Sequence, residues 1–371
     1  MPQPSPVLLM ARELGTGGSE RQLTETARAL DRTLFRPHVA CFRPDGMRRR
    51  ELEAADVPLL TLPVRSLYKG SALLGAVHFR RYLRDHSIQL VHTFDMPTNL
   101  FGVPVARLAG IPVVLSSQRG RRELSSPASH KLLRVIDRMV DGIVVNCEAI
   151  VRDMVDKEGV QPSLLHLCHN GIDTSAFHPG PTVRKAPLES AELVVGVVCG
   201  LRPEKRLDLL IDAFAKIAAP GRKLVFVGSG TERQVLVDQC ERLGLTPHCY
   251  FEPTTSAVAE WIHSMDVFVL PSRTEGLSNS LMEAMACGRA VIASDAGGNP
   301  ELVTDGSTGL LFPSGNADAL AAALSRLVEN VELRSELGAR AAGLIREKFS
   351  LAHAARRMAA IYLERLEASR K

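Results

Sequence analysis

Val267-Phe268-Val269-Leu270-Pro271-Ser272-Arg273-Thr274-Glu275-Gly276-Leu277-Ser278-Asn279-Ser280-Leu281-Met282-Glu283-Ala284-Met285-Ala286-Cys287-Gly288 reads as three pieces of structure in succession. Four apolar residues make a buried strand, a polar turn with a proline and a glycine follows, and a helical pattern closes the unit. In open α/β sheets ligands sit beyond the carboxyl ends of strands, so this turn is where chemistry is expected. Two carboxylates frame it, Glu275 in the loop and Glu283 after seven intervening residues, in the first turns of the helix. Glu283 has the Ser-x-x-Glu spacing of a capping box with Ser280. Glu275 has no helix to cap, lies between polar residues and a glycine, and reads as a ligand-facing group.

The same strand–turn–helix rhythm extends outward in both directions. Upstream and downstream of it, Leu193 to Cys199, Leu224 to Gly228, Cys249 to Phe251 and Ala290 to Ser294 read as strands separated by amphipathic segments. An earlier series runs Val7 to Ala11, His38 to Phe42, Leu90 to Thr93, Val113 to Ser116, Ile143 to Asn146 and Leu164 to Leu167. At 371 residues the chain is too long for one ordinary core, and the two series predict two doubly wound, Rossmann-like α/β domains. Three prolines and a glycine within 178–190 predict a linker between a first domain over 1–177 and a second over 191–348. Residues 349–371 predict a basic amphipathic C-terminal helix with Met358, Ile361, Tyr362 and Leu366 on one face, packing back toward the first domain.

Gly15-Thr16-Gly17-Gly18-Ser19-Glu20 follows the first strand and opens the first long helix. Gly17 and Gly18 let backbone approach an anion at a helix N-terminus, but Glu20 stands where a dinucleotide fingerprint needs its last glycine. Formal charge is +4 overall, yet residues 1–140 carry 21 Lys and Arg against 12 Asp and Glu. Clusters at Arg48, Arg49 and Arg50, at Arg80, Arg81 and Arg84, and at Arg119, Arg121 and Arg122 fit an anionic lipid surface or a polyphosphate, and equally an ordinary solvated surface. With four Tyr, one Trp and no basic-aromatic interleaving, nucleic acid is not an expected partner. No apolar run reaches membrane-span length, the N-terminus lacks a signal-peptide pattern, and seven scattered cysteines without a C-x-x-C pair read as reduced. A cytoplasmic protein, peripheral at most to a membrane, is the expectation.

The quoted stretch resembles the E-x7-E region of the retaining nucleotide-sugar glycosyltransferases of family GT4, which adopt the GT-B fold. Further resemblance lies in Val291-Ile292-Ala293-Ser294 with Gly297-Gly298-Asn299-Pro300-Glu301, in Leu201-Arg202-Pro203-Glu204-Lys205, in Gly228-Ser229-Gly230, in Asn170-Gly171-Ile172-Asp173 and in Gly17-Gly18-Ser19-Glu20-Arg21-Gln22. It implies two domains facing a cleft, the first binding the acceptor and the second the nucleotide sugar, which is a substrate rather than a cofactor. It implies that Glu275 lies by the donor sugar, that Glu283 holds the ribose hydroxyls, and that Arg202 and Lys205 clamp the diphosphate. Gly276, Leu277, Ser278, Asn279, Gly17 and Gly18 are then donor-binding, and His92 and Arg119 are candidate contacts for sugar or acceptor. His92 reads equally as a structural histidine at a strand end.

Three places depart from the family pattern. Gly200 stands where the commonest version has an arginine, Phe94 where many members have a second histidine, and Phe251-Glu252-Pro253-Thr254 where a glycine often lines the base pocket. No Asp-x-Asp occurs, so protein cations rather than a metal are expected to neutralise the diphosphate. The expected activity is metal-independent, retaining transfer from a UDP- or GDP-sugar to an acceptor hydroxyl, the acceptor being lipid-linked or phosphorylated. The alternatives are a catalytically silent GT-B scaffold and a GT-B nucleotide-sugar epimerase.

Overall fold

The structure, a computed structural model, describes residues 3–67, 69–124 and 126–370. The chain divides into two units, residues 1–171 with 351–371, and residues 172–350.

The first unit alternates β1 (Ser5–Glu13), α1 (Gly18–Ala29), β2 (Phe35–Arg43), α2 (Met47–Glu53), β3 (Leu59–Thr61), α3 (Gly70–Asp85) and β4 (Leu90–Thr93). It continues with α4 (Met96–Leu108), β5 (Val113–Gln118), α5 (Pro127–Asp137), β6 (Gly142–Val145), α6 (Glu148–Asp156) and β7 (Leu165–Leu167). All seven strands pair in parallel, in the order β3-β2-β1-β4-β5-β6-β7. Burial on both faces explains why strands such as β4 and β6 are apolar or uncharged throughout rather than alternating.

The second unit holds β8 (Leu193–Val198), α7 (Leu207–Ala215), β9 (Arg222–Val227), α8 (Arg233–Arg242), β10 (Cys249–Glu252), α9 (Val258–His263) and β11 (Val267–Leu270). It ends with α10 (Asn279–Ala286), β12 (Ala290–Ser294), α11 (Asn299–Leu302), β13 (Leu310–Phe312), α12 (Ala317–Glu329) and α13 (Val331–Lys348). Its six parallel strands run β10-β9-β8-β11-β12-β13. Val195, Val197, Phe226, Val269 and Ile292 of the sheet pack with Leu210, Phe214 and Leu324 of the helices. In both sheets the strand order reverses beside the first strand, between β1 and β4 and between β8 and β11, which opens a crevice at the carboxyl edge.

The final helix, α14 (Leu351–Ala368), belongs to the first unit. Met358, Ile361, Tyr362 and Leu366 recur at three- to four-residue spacing and enter the core formed by β1, β2 and α1. Gly171 passes so close beneath it that a Cβ there would stand 2.8 Å from Leu351 Cα and from Ala354 Cβ.

The boundary between the units differs from the expectation of a first domain to 177 and a linker over 178–190. Residues 172–190 are fastened to the second unit by arginines rather than by regular structure. Arg184 pairs with Asp266 at 2.6 Å and donates to Ser264 O at 2.6 Å. Arg289 donates to Thr182 Oγ1 at 2.8 Å and to Gly180 O, and His263 Nε2 lies 3.0 Å from His178 O. Prolines end helices and strands without preventing such side-chain-to-backbone anchoring. At the other end, Ile172 N donates to Phe349 O at 2.9 Å, so the second unit closes on itself.

Candidate functional site

In the second unit the candidate residues gather around the β8–β11 crevice. The segment after β8 makes a 3-10 turn, Pro203–Lys205, and then Arg206 takes a left-handed φ of 49° to start α7. The segment after β11 is the 271–278 loop. Because β8 and β11 are sheet neighbours, the two loops lie side by side, and Arg273 N donates to Glu204 O at 2.8 Å between them.

That stitching brings the Lys205 ammonium onto Glu275, to which it donates at Oε1. Ser272 Oγ donates to the same oxygen at 2.6 Å. The two charged side chains are only 13% and 10% exposed, so the pair sits in a medium where charge interactions are stronger than in water. Burial by itself disfavours the Lys205 cation, but the charge and hydrogen bond of Glu275 outweigh it and the lysine pKa is raised. Beside it, the Cys199 thiol is pushed up to about 12 by burial.

The backbone of the loop is held from the next crossover. Gly297, at φ 59°, packs so tightly that a Cβ would stand 2.1 Å from Glu275 O, and Gly298 N donates to Gly276 O at 3.1 Å. Ser272 and the Gly297–Gly298 bend are the supports that reading the sequence did not assign to Glu275. Their signal was present in the glycine pair, but only the adjacency of β11 and β12 gives it meaning.

Glu283 lies in the second turn of α10 and is 3% exposed. The capping-box reading with Ser280 is corrected here. Ser278 is the N-cap, accepting from Leu281 N at 3.4 Å, so Glu283 is two residues beyond the position from which a capping glutamate reaches back. Leu277 and Ser278 are buried at the start of that helix. Arg202 is largely exposed and pairs with Glu204 at 3.2 Å. Its guanidinium lies over Gly200, with Nε 3.3 Å from where a Cβ would stand, so a cation covers the position that lacks the family's arginine.

Gly17, Gly18, His92 and Arg119 belong to the first unit. Gly17 caps α1, but the place over it is taken by Glu20, whose Oε2 stands 2.1 Å from where a Gly17 Cβ would be. Burial raises the pKa of that carboxyl group. The expected approach of an external anion therefore meets an internal carboxylate. His92 is wholly buried, with Nδ1 2.8 Å from Tyr362 Oη and Nε2 2.9 Å from Ser117 Oγ. Burial, with Arg119 next, holds its pKa far below the usual histidine value. A neutral ring with both nitrogens engaged is a packing histidine, and the sugar-contact reading of His92 gives way to the structural one.

Arg119 lies at the end of β5, its guanidinium 5.4 Å from the Phe94 ring centre and donating to Asn170 Oδ1 at 2.5 Å. Burial brings its pKa down to about 10, so it stays cationic at neutral pH. Its Nη1 has no partner among the described residues.

Both halves of the chain match known families. Residues 16–176 match the model of Glycosyltransferase Family 4, and residues 182–343 that of Glycosyl transferases group 1. The chain is 31% identical over 283 residues to the GDP-mannose-dependent alpha-(1-6)-phosphatidylinositol monomannoside mannosyltransferase of Mycolicibacterium smegmatis, covering 71% of this chain and 73% of that one. It is 29% identical over 232 residues to the D-inositol 3-phosphate glycosyltransferase of Mycobacterium ulcerans, covering 60% of this chain and 48% of the relative. Among solved structures, Anabaena HepE in complex with UDP and glucose superposes with a TM-score of 0.84 at 21% identity, over 96% of this chain and 99% of that one. Sucrose-phosphate synthase from Thermosynechococcus elongatus gives 0.82 at 20% identity, over 98% and 100%. A doubly wound sheet in each unit, matched along nearly the whole chain, together with a relative above 30% identity, makes this chain a family 4 glycosyltransferase of the GT-B fold.

Proposed function

We propose that this glycosyltransferase moves a hexose-type unit from a UDP- or GDP-sugar to a hydroxyl of a lipid-linked or phosphorylated acceptor, with retention and without a metal. The observation that carries the reading is the largely buried Lys205–Glu275 pair at the β8–β11 crevice. As the glycosidic bond breaks, charge grows on the leaving diphosphate, and a cation already fixed there stabilises the transition state more than the ground state. Lys205 supplies that cation and Arg202, over Gly200, a second one. Glu275 accepts hydroxyl hydrogen bonds from the donor sugar, and Glu283 accepts those of the ribose. The first turn of α10, with Gly276 to Asn279, adds backbone N–H groups for the diphosphate. With no Asp-x-Asp in the sequence, protein cations do the neutralising. Retention follows from front-face attack, in which the leaving phosphate takes the acceptor proton. Arg119 is the first-unit residue assigned to sugar or acceptor.

For the acceptor, the relative from M. smegmatis is named for a phosphatidylinositol monomannoside, and the basic balance of residues 1–140 suits such a phosphate-bearing lipid in an anionic membrane. Among the described residues no helix is long and apolar enough to cross a membrane, so contact would be peripheral.

The test is release of free nucleoside diphosphate from GDP-mannose and UDP-glucose, with and without phosphatidylinositol-bearing vesicles, in the presence of EDTA. Acceptor-dependent release supports the reading. Binding without release across the acceptor set would make the chain a scaffold, and conversion of the donor with no acceptor would make it an epimerase. Loss of release on adding EDTA would overturn metal independence, and an inverted anomeric product would overturn retention.

A further inference from the structure

Three basic clusters stand in the first unit, and the fold leaves them in different states. Arg48 and Arg49 are paired with Glu51 and Glu53 at 2.8 and 2.7 Å. Arg122 is buried on Asp137, Arg121 is paired with Asp153, and Arg119 lies over Phe94. The third cluster, on α3, projects into solvent. Arg81 and Arg84 are 77% and 80% exposed and share Asp85, while Arg80 is exposed with no ion-pair partner among the described residues.

The same helix is anomalous in a second way. It buries Gly75, Phe79 and Leu83 against the sheet, so its core-facing stripe is already satisfied. Its opposite side should be polar, yet Leu73, Leu74 and Val77 are 74%, 51% and 59% exposed there. Positions 73, 74, 77, 80, 81 and 84 follow helical spacing, so three apolar residues and three arginines form one continuous outward face. Between Asp56 and Asp85 the chain carries five Lys and Arg and no Asp or Glu. An apolar patch joined to unopposed positive charge is the composition of a helix that lies in a bilayer interface.

We propose that this face of α3 docks the protein on an anionic bilayer, with Leu73, Leu74 and Val77 entering the acyl boundary and Arg80, Arg81 and Arg84 meeting headgroup phosphates. The proposal rests on the lipid-acceptor reading above and names the surface that serves it. Charge selects the bilayer over a second copy of the chain, because the stretch between Asp56 and Asp85 offers no carboxylate to a copy's arginines, whereas an anionic bilayer offers phosphates to all three. Position adds to the argument. α3 follows β3, so its apolar first turns lie toward the carboxyl edge of the sheet, the edge that also carries Gly17, Gly18 and Arg119.

The experiment is flotation of the full chain with vesicles of phosphatidylglycerol and phosphatidylcholine, or of phosphatidylcholine alone, at low and raised salt. The wild type is expected to float with the anionic vesicles, less so at raised salt. The combined variant Leu73→Ser, Leu74→Ser, Val77→Ser is expected to lose about tenfold or more in vesicle partition. The variant Arg80→Gln, Arg81→Gln, Arg84→Gln is expected to bind weakly and to lose the salt dependence. All six side chains are on the surface, and an unchanged thermal shift with nucleoside diphosphate checks that each variant is folded. Equal flotation of the serine variant and the wild type would overturn the assignment to α3, as would a wild-type dimer that the serine variant dissociates. If the wild type fails to float but still releases nucleoside diphosphate with a soluble inositol phosphate, the docking proposal falls while the transferase reading stands. Absence of release under every condition sinks the latter independently.

Discussion

Lys205 and Glu275 form an ion pair that exists because two loops distant in sequence end on neighbouring strands. In the proposed mechanism Lys205→Ala removes the cation that neutralises the leaving diphosphate, and kcat/KM is expected to fall by roughly 10²–10³, equivalent to about 2.7–4 kcal/mol. Steady-state kinetics with saturating acceptor checks this, and near-normal turnover would take Lys205 out of the mechanism. A pH dependence follows from the same pair. The folded-state pKa of Lys205 is raised, so the stabilisation is complete below the unfolded value of about 10.4 and is lost as pH rises through the higher folded value. The melting-temperature gap between the wild type and Lys205→Met should therefore stay level through neutral and mildly alkaline pH and close only above that point. The identity of both residues was legible from residue pattern and family resemblance. Their direct pairing was not, because a separation of seventy positions carries no local signal of contact.

At the scale of the element, the 271–278 loop is shaped by its neighbours. Gly297→Ala would force a Cβ into the Glu275 carbonyl at a left-handed φ, and strain of this kind costs about 1–3 kcal/mol. Thermal denaturation should record a lower Tm, and kcat/KM should fall with it because the same displacement moves Glu275. An unchanged Tm would mean that the loop is not held there. In the first unit, Tyr362→Phe leaves His92 Nδ1 without its partner in a dry core, at a cost of about 1–3 kcal/mol, again read as a drop in Tm. Most strands were recognisable as short apolar runs, but β3 and β13 were not. Each has three residues at a sheet edge, too short to show any periodicity, and each is defined by the strand it pairs with. The cap at Ser278 rather than Ser280 was missed for a related reason. Both serines are chemically fit, and where the helix begins depends on how the loop enters it.

The whole molecule is assembled from one unit that is continuous in sequence and one that is not. Residues 172–350 contain their own sheet, core and strap, and as a separate polypeptide they are expected to melt cooperatively and to show a thermal shift with nucleoside diphosphate. The first unit depends on α14. Met358, Ile361, Tyr362 and Leu366 are buried in its core, and at about 1.5–3 kcal/mol each they rival the whole stability of an ordinary domain. A chain ending at Ser350 is therefore expected to aggregate, with expression in trans of 351–371 partly restoring solubility; a soluble, cooperatively melting truncation would refute this. Two parallel α/β sheets, the turns at their strand ends, and the acidic and basic residues placed on those turns were all readable from the order of residues alone. Periodicity and turn chemistry are local properties, written in residues a few positions apart. It took the folded chain to show that Lys205 meets Glu275, that His92 packs with both ring nitrogens engaged, that 172–190 is strapped to the second unit, and that among three basic clusters α3 alone combines free charge with an exposed apolar face. Those outcomes depend on strand order and on which side chains find partners, and a chain read in one dimension specifies them only through the fold it makes.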